Sequence, residues 1–385
     1  MNSQHIRIFL TTSQISAVYA MMLSEATRSP GDVDVLFADG SRRKKSLIGL
    51  ISKTAALYKW DLFHDFSIAM EEDFDFNPST TKSITRKIKT WPLISSIYNL
   101  LLERHYARID KAYRDKLKKV LEPYLNEHTT ISLFMLTQTY LNRPLRQLFP
   151  NAEINYLEHG MGDYYYMLDP KTPKGNFYCL FAESFKKYLA KKKNASTWVK
   201  QLPGLASFSE ISNRVIAEEK INVPAQSNEK PYVYILMEAV DMYNVDESFW
   251  VAYMDHILQK VPSPNEYHFL LKPHPVQSQF SITATEEHFK KLGLQYTMLS
   301  PNKYGSASAE ILFESYSDKT RHVFCLFSSA CFYLSQLYKH KKIEFWYSTE
   351  FMSRHTGNAP SQFKHHFDGL CPIIEDVFSE NCKPY

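Results

Sequence analysis

Short apolar runs rich in β-branched and aromatic residues recur along this chain, separated by segments with the three-to-four spacing of helices. That alternation limits the fold more than any other feature. Residues 6–10, 131–136, 154–157, 178–181, 232–237, 267–271, 323–327 and 343–346 read as strands. Residues 15–26, 140–148, 246–261 and 329–338 read as helices, the first capped by Thr11-Thr12-Ser13-Gln14. Strands that alternate with helices pair in parallel and need cover on both faces, which makes the chain α/β. Between Leu202 and Pro231 the rhythm breaks, with Pro203, Gly204, Pro224 and a polar Gln226-Ser-Asn-Glu-Lys stretch, and then restarts. The 385 residues therefore divide into a Rossmann-like N-terminal domain (1–205), a linker (206–230) and a Rossmann-like C-terminal domain (231–385) whose last helix is expected to pack back on the first. Residues 243–250 and 361–385 fit no single pattern.

Composition excludes several classes. With 44% apolar and 22% charged residues, 25 Tyr and 25 Phe, the chain is neither disordered nor fibrous. The five cysteines (Cys179, Cys325, Cys331, Cys371, Cys382) are odd in number and lack CxxC spacing, so neither a disulfide framework nor a cysteine zinc site is expected, and a cytoplasmic location follows. No apolar run reaches the roughly 18 residues of a membrane span. The run after Arg7 is broken by Thr11–Gln14, which suits a strand, turn and helix better than a secretory signal.

Charge is unevenly placed. The net charge is only +4, yet between Lys82 and Lys119 eleven basic residues face three acids. Arg104, Arg108 and Lys111 fall on one helical stripe. Such a stripe suits either a solvated helix face or a surface that holds a polyanion or an anionic membrane; Arg42–Lys45 and Lys191–Lys193 repeat the theme and favour the functional surface.

Open parallel sheets bind ligands at the carboxyl ends of their strands, which directs attention to four polar strand ends. The first is Thr11–Gln14. At the second, Glu158-His159-Gly160-Met161-Gly162, a carboxylate leaves a strand just before two glycines; it suits a general base beside a closely approached ligand, or a plain turn. At the third, Lys272-Pro273-His274-Pro275 offers a cation and an imidazole on a backbone fixed by two prolines, suited to an anionic leaving group; a turn ending a strand would look the same. At the fourth, Ser328-Ser329 lies where strand becomes helix, so hydroxyls and free N–H groups can hold a phosphate, or one serine simply caps the helix. The chain has no GxGxxG, P-loop, HExxH or GxSxG. Asp73-Phe74-Asp75 has the spacing of a metal-binding DxD but no clean strand before it, so no metal site is expected.

Taken in order, Glu158-His-Gly, Lys272-Pro-His-Pro and Ser328-Ser329 resemble the motifs of bacterial sialyltransferases of glycosyltransferase-B fold. Leu157-Glu-His-Gly-Met-Gly-Asp-Tyr is most similar to the capsular polysialyltransferases. The resemblance implies two Rossmann-like domains facing a central cleft, and CMP-sialic acid as donor substrate with no cofactor. It implies Glu158 as general base, His274 of the HP motif on the CMP phosphate, Ser328 and Ser329 on the same phosphate, and Glu310 on the ribose hydroxyls. Lys272 and Pro275 join the donor site, while Gly160, Arg104, Arg108 and Lys111 serve the acceptor. His159 departs from the second acid of the wider motif.

The residue chemistry is compatible. Departure of CMP develops charge on its phosphate, which Lys272, His274 and a helix start can stabilise without metal, while the acceptor hydroxyl loses its proton to Glu158 in one inverting displacement. A sialic acid polymer carries one carboxylate per sugar and suits the basic N-terminal half. The expected partners are CMP-sialic acid, an anionic oligo- or polysialic acid and a capsule synthesis complex at the inner face of the cytoplasmic membrane, with no nucleic acid. The rivals are a related transferase using CMP-Kdo or a CDP-polyol, and a non-catalytic polyanion-binding protein on the same scaffold.

Overall fold

The computed structural model describes residues 4–39, 42–70, 107–108, 110–218, 220, 229–238, 240, 245–275, 277–300, 307–355 and 361–385. Fifteen strands are present among them: β1 (His5–Thr11), β2 (Val33–Ala38), β3 (Arg42–Lys44), β4 (Leu62–Asp65), β5 (Ile68–Met70), β6 (Thr130–Met135), β7 (Glu153–Leu157), β8 (Asn176–Cys179), β9 (Val199–Gln201), β10 (Tyr232–Leu236), β11 (His268–Lys272), β12 (Tyr296–Met298), β13 (Thr320–Cys325), β14 (Glu344–Tyr347) and β15 (Cys382–Pro384). The helices used below are α1 (Gln14–Thr27), α2 (Lys45–Ala56), α3 (Asn142–Leu148), α4 (Gly162–Tyr166), α5 (Ala182–Lys191), α6 (Phe208–Glu218), α7 (Glu247–Leu258), α8 (Gln279–Lys291), α9 (Ala309–Phe313), α10 (Ser329–Leu337), α11 (Thr349–His355) and α12 (Ser361–Ile373). One sheet runs β4-β2-β1-β6-β7-β8-β9, a second β12-β11-β10-β13-β14-β15, and β3 pairs with β5. The recorded pairings are all parallel, as the strand–helix alternation requires. The expected α/β fold of two parallel sheets stands.

By compactness the chain divides into residues 1–12 with 28–156, and residues 13–27 with 157–385. The second unit thus takes α1 and everything from Leu157 onward, and Glu158, Lys272, His274, Glu310, Ser328 and Ser329 all belong to it. Two features explain why 157–205 falls there. The ring of Phe378, just beyond α12, packs edge-on against Tyr164 of α4 and against Phe181, with centroids 4.8 Å apart in each case. Gly204, at φ +79°, brings the backbone so close to α1 that a Cβ would meet the Met22 carbonyl oxygen at 2.9 Å. The 206–230 segment, expected as a linker, contains the packed helix α6 with Phe208, Ile211 and Val215 buried; residues 219 and 221–228 lie outside the described residues.

In the second unit β10 and β11 are buried along their whole length. Trp250, Tyr253 and Met254 of α7 and Phe289 of α8 close over them with Val233, Ile235, Phe269 and Leu271. Each such side chain contributes about 1.5–3 kcal/mol by leaving water. That core holds the carboxyl ends of β10, β11 and β13 in a fixed register, with Ile235 opposite both Leu271 and Phe324.

Candidate active site

Glu158 emerges directly from β7 and is fully buried. Its Oε2 accepts the backbone N–H of Leu180 at 2.6 Å. Oε1 has no partner of hydrogen-bond geometry, although the Tyr333 and Tyr164 hydroxyls stand close enough to favour the charged form. Burial outweighs the Leu180 bond and these hydroxyls, and with help from Asp163 lifts the carboxyl to a pKa of about 8. The turn that follows is anchored from below. Buried Asp163 accepts the N–H groups of His159 (2.7 Å) and Gly160 (3.0 Å) on Oδ2, and the half-buried His159 ring brings Nδ1 within 2.8 Å of the same oxygen.

Gly160 faces the serine turn. A carbon placed at its Cβ position would lie 4.0 Å from the Ser329 Oγ, so the glutamate turn and Ser329 are neighbours. Ser328 sits at the N-cap of α10 with extended backbone (φ −70°, ψ 129°), but its side chain makes no capping bond. The plain capping alternative therefore does not describe it. Both serines are half-buried.

Lys272 ends β11, buried, with Nζ donating to the Pro273 carbonyl at 3.3 Å. Burial lowers its pKa to about 8 against the pull of Glu310. His274 follows in the turn that the Gln277 N–H closes onto its carbonyl. Desolvation first and the Lys272 ammonium second push its pKa down to about 4, while the residue surface is open to water. Open water favours the imidazolium and opposes that lowering; we read the ring as neutral at pH 7 and able to take a proton once an anion arrives. Pro275 lies in the same turn, half-buried.

Glu310 lies in the first turn of α9, buried, its carboxyl raised by burial and drawn back by its own N–H, the Ser308 hydroxyl and Lys272. Gln14, from the first polar strand end, fixes that turn by accepting the Ser308 N–H at 2.9 Å. Tyr19 of α1 is influenced by both Glu310 and Glu158, which places the two carboxyls around one phenol. The structure thus brings Glu158, Gly160 and Ser329 together, and Lys272, His274 and Glu310 together, within one unit. Arg108 and Lys111 are exposed, Lys111 in the helical stretch that runs to residue 121 in the other unit; Arg104, Asp73 and Asp75 lie outside the described residues. Among the described residues no group of three or more His, Cys, Asp or Glu could hold a metal, and no helix is long and apolar enough to cross a membrane.

Two contributors escaped the sequence reading. Tyr333 lies one turn after Ser329 on α10, the same helix face, a spacing that could have been noticed once Ser329 was singled out. Glu238 follows β10 and accepts the N–H groups of Leu326 (2.7 Å) and Phe327 (2.6 Å) on Oε1. Burial raises it to a pKa of about 8, against those bonds and one from the Ser328 N–H.

Two parallel sheets flanked by helices are also the make-up of known structures of glycosyltransferase-B type. The fold matches the UDP-GlcNAc 2-epimerase of Neisseria meningitidis bound to UDP-GlcNAc, with a TM-score of 0.51 at 11% identity over 95% of this chain and 94% of that one. A sialyltransferase from Photobacterium damsela aligns with a TM-score of 0.47 at 10% identity over 99% of this chain and 81% of that one. No curated protein matches in sequence. Residues 77–245, somewhat under half of the chain and including the Glu158 turn, match the family model described as alpha-2,8-polysialyltransferase (POLYST), and it is to that family that this part of the chain is similar.

Proposed function

We propose that this protein is a sialyltransferase that moves sialic acid from CMP-sialic acid to the non-reducing end of an oligo- or polysialic acid, with inversion and without a metal. The observation that carries the reading is the pairing of the Glu158 turn with Ser329, in the same unit as buried Lys272 and Glu310, whose charges act on one another. A base candidate and a phosphate-binding helix start then lie within one small region. Ser328, Ser329, the first N–H groups of α10 and Lys272 take the donor phosphate; His274 gives it a hydrogen bond as it leaves; Glu310 takes the ribose hydroxyls. Glu158 removes the acceptor proton through Oε1, the oxygen that Leu180 leaves unused. Because Glu158 is closed off from solvent here, the acceptor must displace the Gly160 turn to reach it, and its raised pKa makes transfer climb as pH approaches 8. Gly160 gives the acceptor room. Arg104, Arg108 and Lys111 hold its distal carboxylates, and the same basic surface would seat the enzyme on the inner face of the cytoplasmic membrane for capsule synthesis.

The test is a donor screen against an oligosialic acid acceptor, comparing CMP-sialic acid, CMP-Kdo and a CDP-polyol with and without a chelator. Chain growth from CMP-sialic acid alone, unaffected by chelation, is expected. Turnover of another donor instead would replace the substrate reading, and loss of activity on chelation that Mg²⁺ or Mn²⁺ restores would return attention to Asp73 and Asp75. Thermal stabilisation by CMP with no turnover of any donor would leave a binding protein.

A further inference from the structure

We infer that Glu238 is a positioning residue for the donor phosphate: it shapes the turn that presents Ser328 and Ser329. The inference rests on the reading that those serines hold the phosphate. Strand β13 stops at Cys325, although apolar sequence continues to Phe327. At that point the N–H groups of Leu326 and Phe327 leave the sheet ladder and converge on Glu238 Oε1 at 2.7 and 2.6 Å. The Ser328 N–H acts on the same carboxyl. Two successive backbone donors converging on one oxygen of a buried side chain fix the dihedrals of the turn more tightly than a solvated loop would be fixed. The chain then enters α10 at Ser329 with the Ser328 hydroxyl uncommitted to capping.

A carboxylate so close to a phosphate site would ordinarily repel the ligand. Burial, which raises the Glu238 pKa to about 8, removes that objection, since most of the carboxyl is neutral at pH 7 while its oxygen still accepts the N–H groups. The chain thereby gains a rigid phosphate turn without a standing negative charge behind it.

Glu238→Ala should raise the KM for the donor by ~10–100-fold and erase most of the thermal stabilisation by CMP, because two short hydrogen bonds to a buried carboxyl are lost. The KM for the acceptor should stay the same. Glu238→Gln, whose amide oxygen can still accept both N–H groups, should restore donor KM to within a few-fold. A folded Glu238→Ala protein with unchanged donor KM and CMP stabilisation would overturn the assignment, as would equal rises in donor and acceptor KM. Should the alanine variant fail to fold, Glu238→Asp decides: it keeps the carboxyl but shortens the reach by one methylene. A raised donor KM supports the positioning role and an unchanged one overturns it. Ser328→Ala/Ser329→Ala isolates the underlying reading, since undiminished CMP stabilisation in that double variant would remove the serines from the phosphate site whatever Glu238 does.

Discussion

The exits of β8 and β13 use the same tripeptide in the same way. Cys179-Leu180-Phe181 and Cys325-Leu326-Phe327 each end a parallel strand and lead into a helix, α5 in one case and α10 in the other. In each, the leucine N–H is taken by a buried glutamate that follows another strand: Leu180 by Glu158 after β7, Leu326 by Glu238 after β10. Both carboxyls are raised by burial to a pKa of about 8. The difference lies in the next N–H. Phe327 also gives its proton to Glu238 Oε1, whereas Phe181 gives its own to the Tyr164 hydroxyl at 3.2 Å. Glu238 is thereby committed to holding a turn. Glu158 keeps an oxygen for other use, and only Glu158 is followed by the Gly160–Gly162 segment beside Ser329. The helices that follow diverge in the same sense: α5 begins Ala182-Glu183, which would repel a phosphate, and α10 begins after Ser328 with Ser329. On the proposed reading, a repeated scaffold carries a base at one exit and an anion site at the other.

The sharpest way to break this comparison is to make the same change at both glutamates. Glu158→Gln keeps size and the Leu180 bond but cannot take the acceptor proton, so transfer should fall by ~10²–10⁴ with CMP stabilisation intact. Glu238→Gln should leave the turnover number near wild type. If both variants transfer at near wild-type rates, Glu158 is not the base, and His159, with Nδ1 at 2.8 Å from Asp163, is the next residue to change. If Glu158→Gln unfolds, the two glutamates do the same structural task and the distinction drawn from Oε1 fails.

The two helix starts invite a transplant. Ser329→Glu gives α10 the acid that α5 already carries in its first turn, and should abolish CMP stabilisation. His274→Ala, which removes a donor to the leaving phosphate, should cut turnover by ~10²–10³. Retained CMP stabilisation in Ser329→Glu would mean that the second exit is no more an anion site than the first.

Much of this was readable in advance, for a physical reason. Buried parallel strands are continuous apolar runs, so β1, β6, β7, β10, β11 and β14 stand out locally, and the motif residues sit at strand ends where the chain turns polar. What escaped detection depends on distant partners. Strand β13 was expected to reach Phe327 and stops at Cys325 because Glu238, almost ninety residues upstream, takes the next two N–H groups. The hydroxyls that temper the raised pKa of Glu158 come from Tyr164 and from Tyr333 on a helix far along the chain. Helix α8 was missed despite Ser278, whose side chain caps it by accepting the Ser281 N–H. The tail stayed undecided because α12 carries Pro372 and runs into a π-helical turn, Ile374–Phe378, which blurs the 3.6 period. The Cys-Leu-Phe repetition is visible in the letters, yet three residues mean little until both copies are seen meeting a glutamate.

Stability against pH offers a milder test of the paired carboxyls. Each has a folded pKa near 8 and an unfolded value near the ordinary carboxylate range, so the folded state binds more protons than the unfolded state between them. Their contribution is complete below the unfolded pKa and is lost as pH rises through about 8. Thermal melts should therefore show Tm falling from pH 5 to 9, with a shallower fall in Glu158→Gln and in Glu238→Gln. An identical slope in wild type and both variants would show that neither carboxyl titrates as its burial implies.

The smallest expected effect concerns the basic helical stretch, where position on the helix separates packing from function. Leu117 and Leu121 are fully buried and four residues apart, and Lys116 lies over the Phe66 ring at 4.8 Å, so this side belongs to the core. Arg108, Lys111, Lys118 and Lys119 are exposed and can be reversed without opening that core. Exposed charges act on a polyanion through screened attraction, each weak alone. Arg108→Glu/Lys111→Glu should therefore raise the KM for long oligosialic acceptors only a few-fold and leave short ones nearly unchanged, and salt near physiological strength should shrink the gap. Chain length is the deciding variable, because a long acceptor carries more carboxylates for such a surface to attract than a short one does. Equal losses for both lengths would mean that the stripe is an ordinary solvated face, and that the charge of the acceptor is read elsewhere.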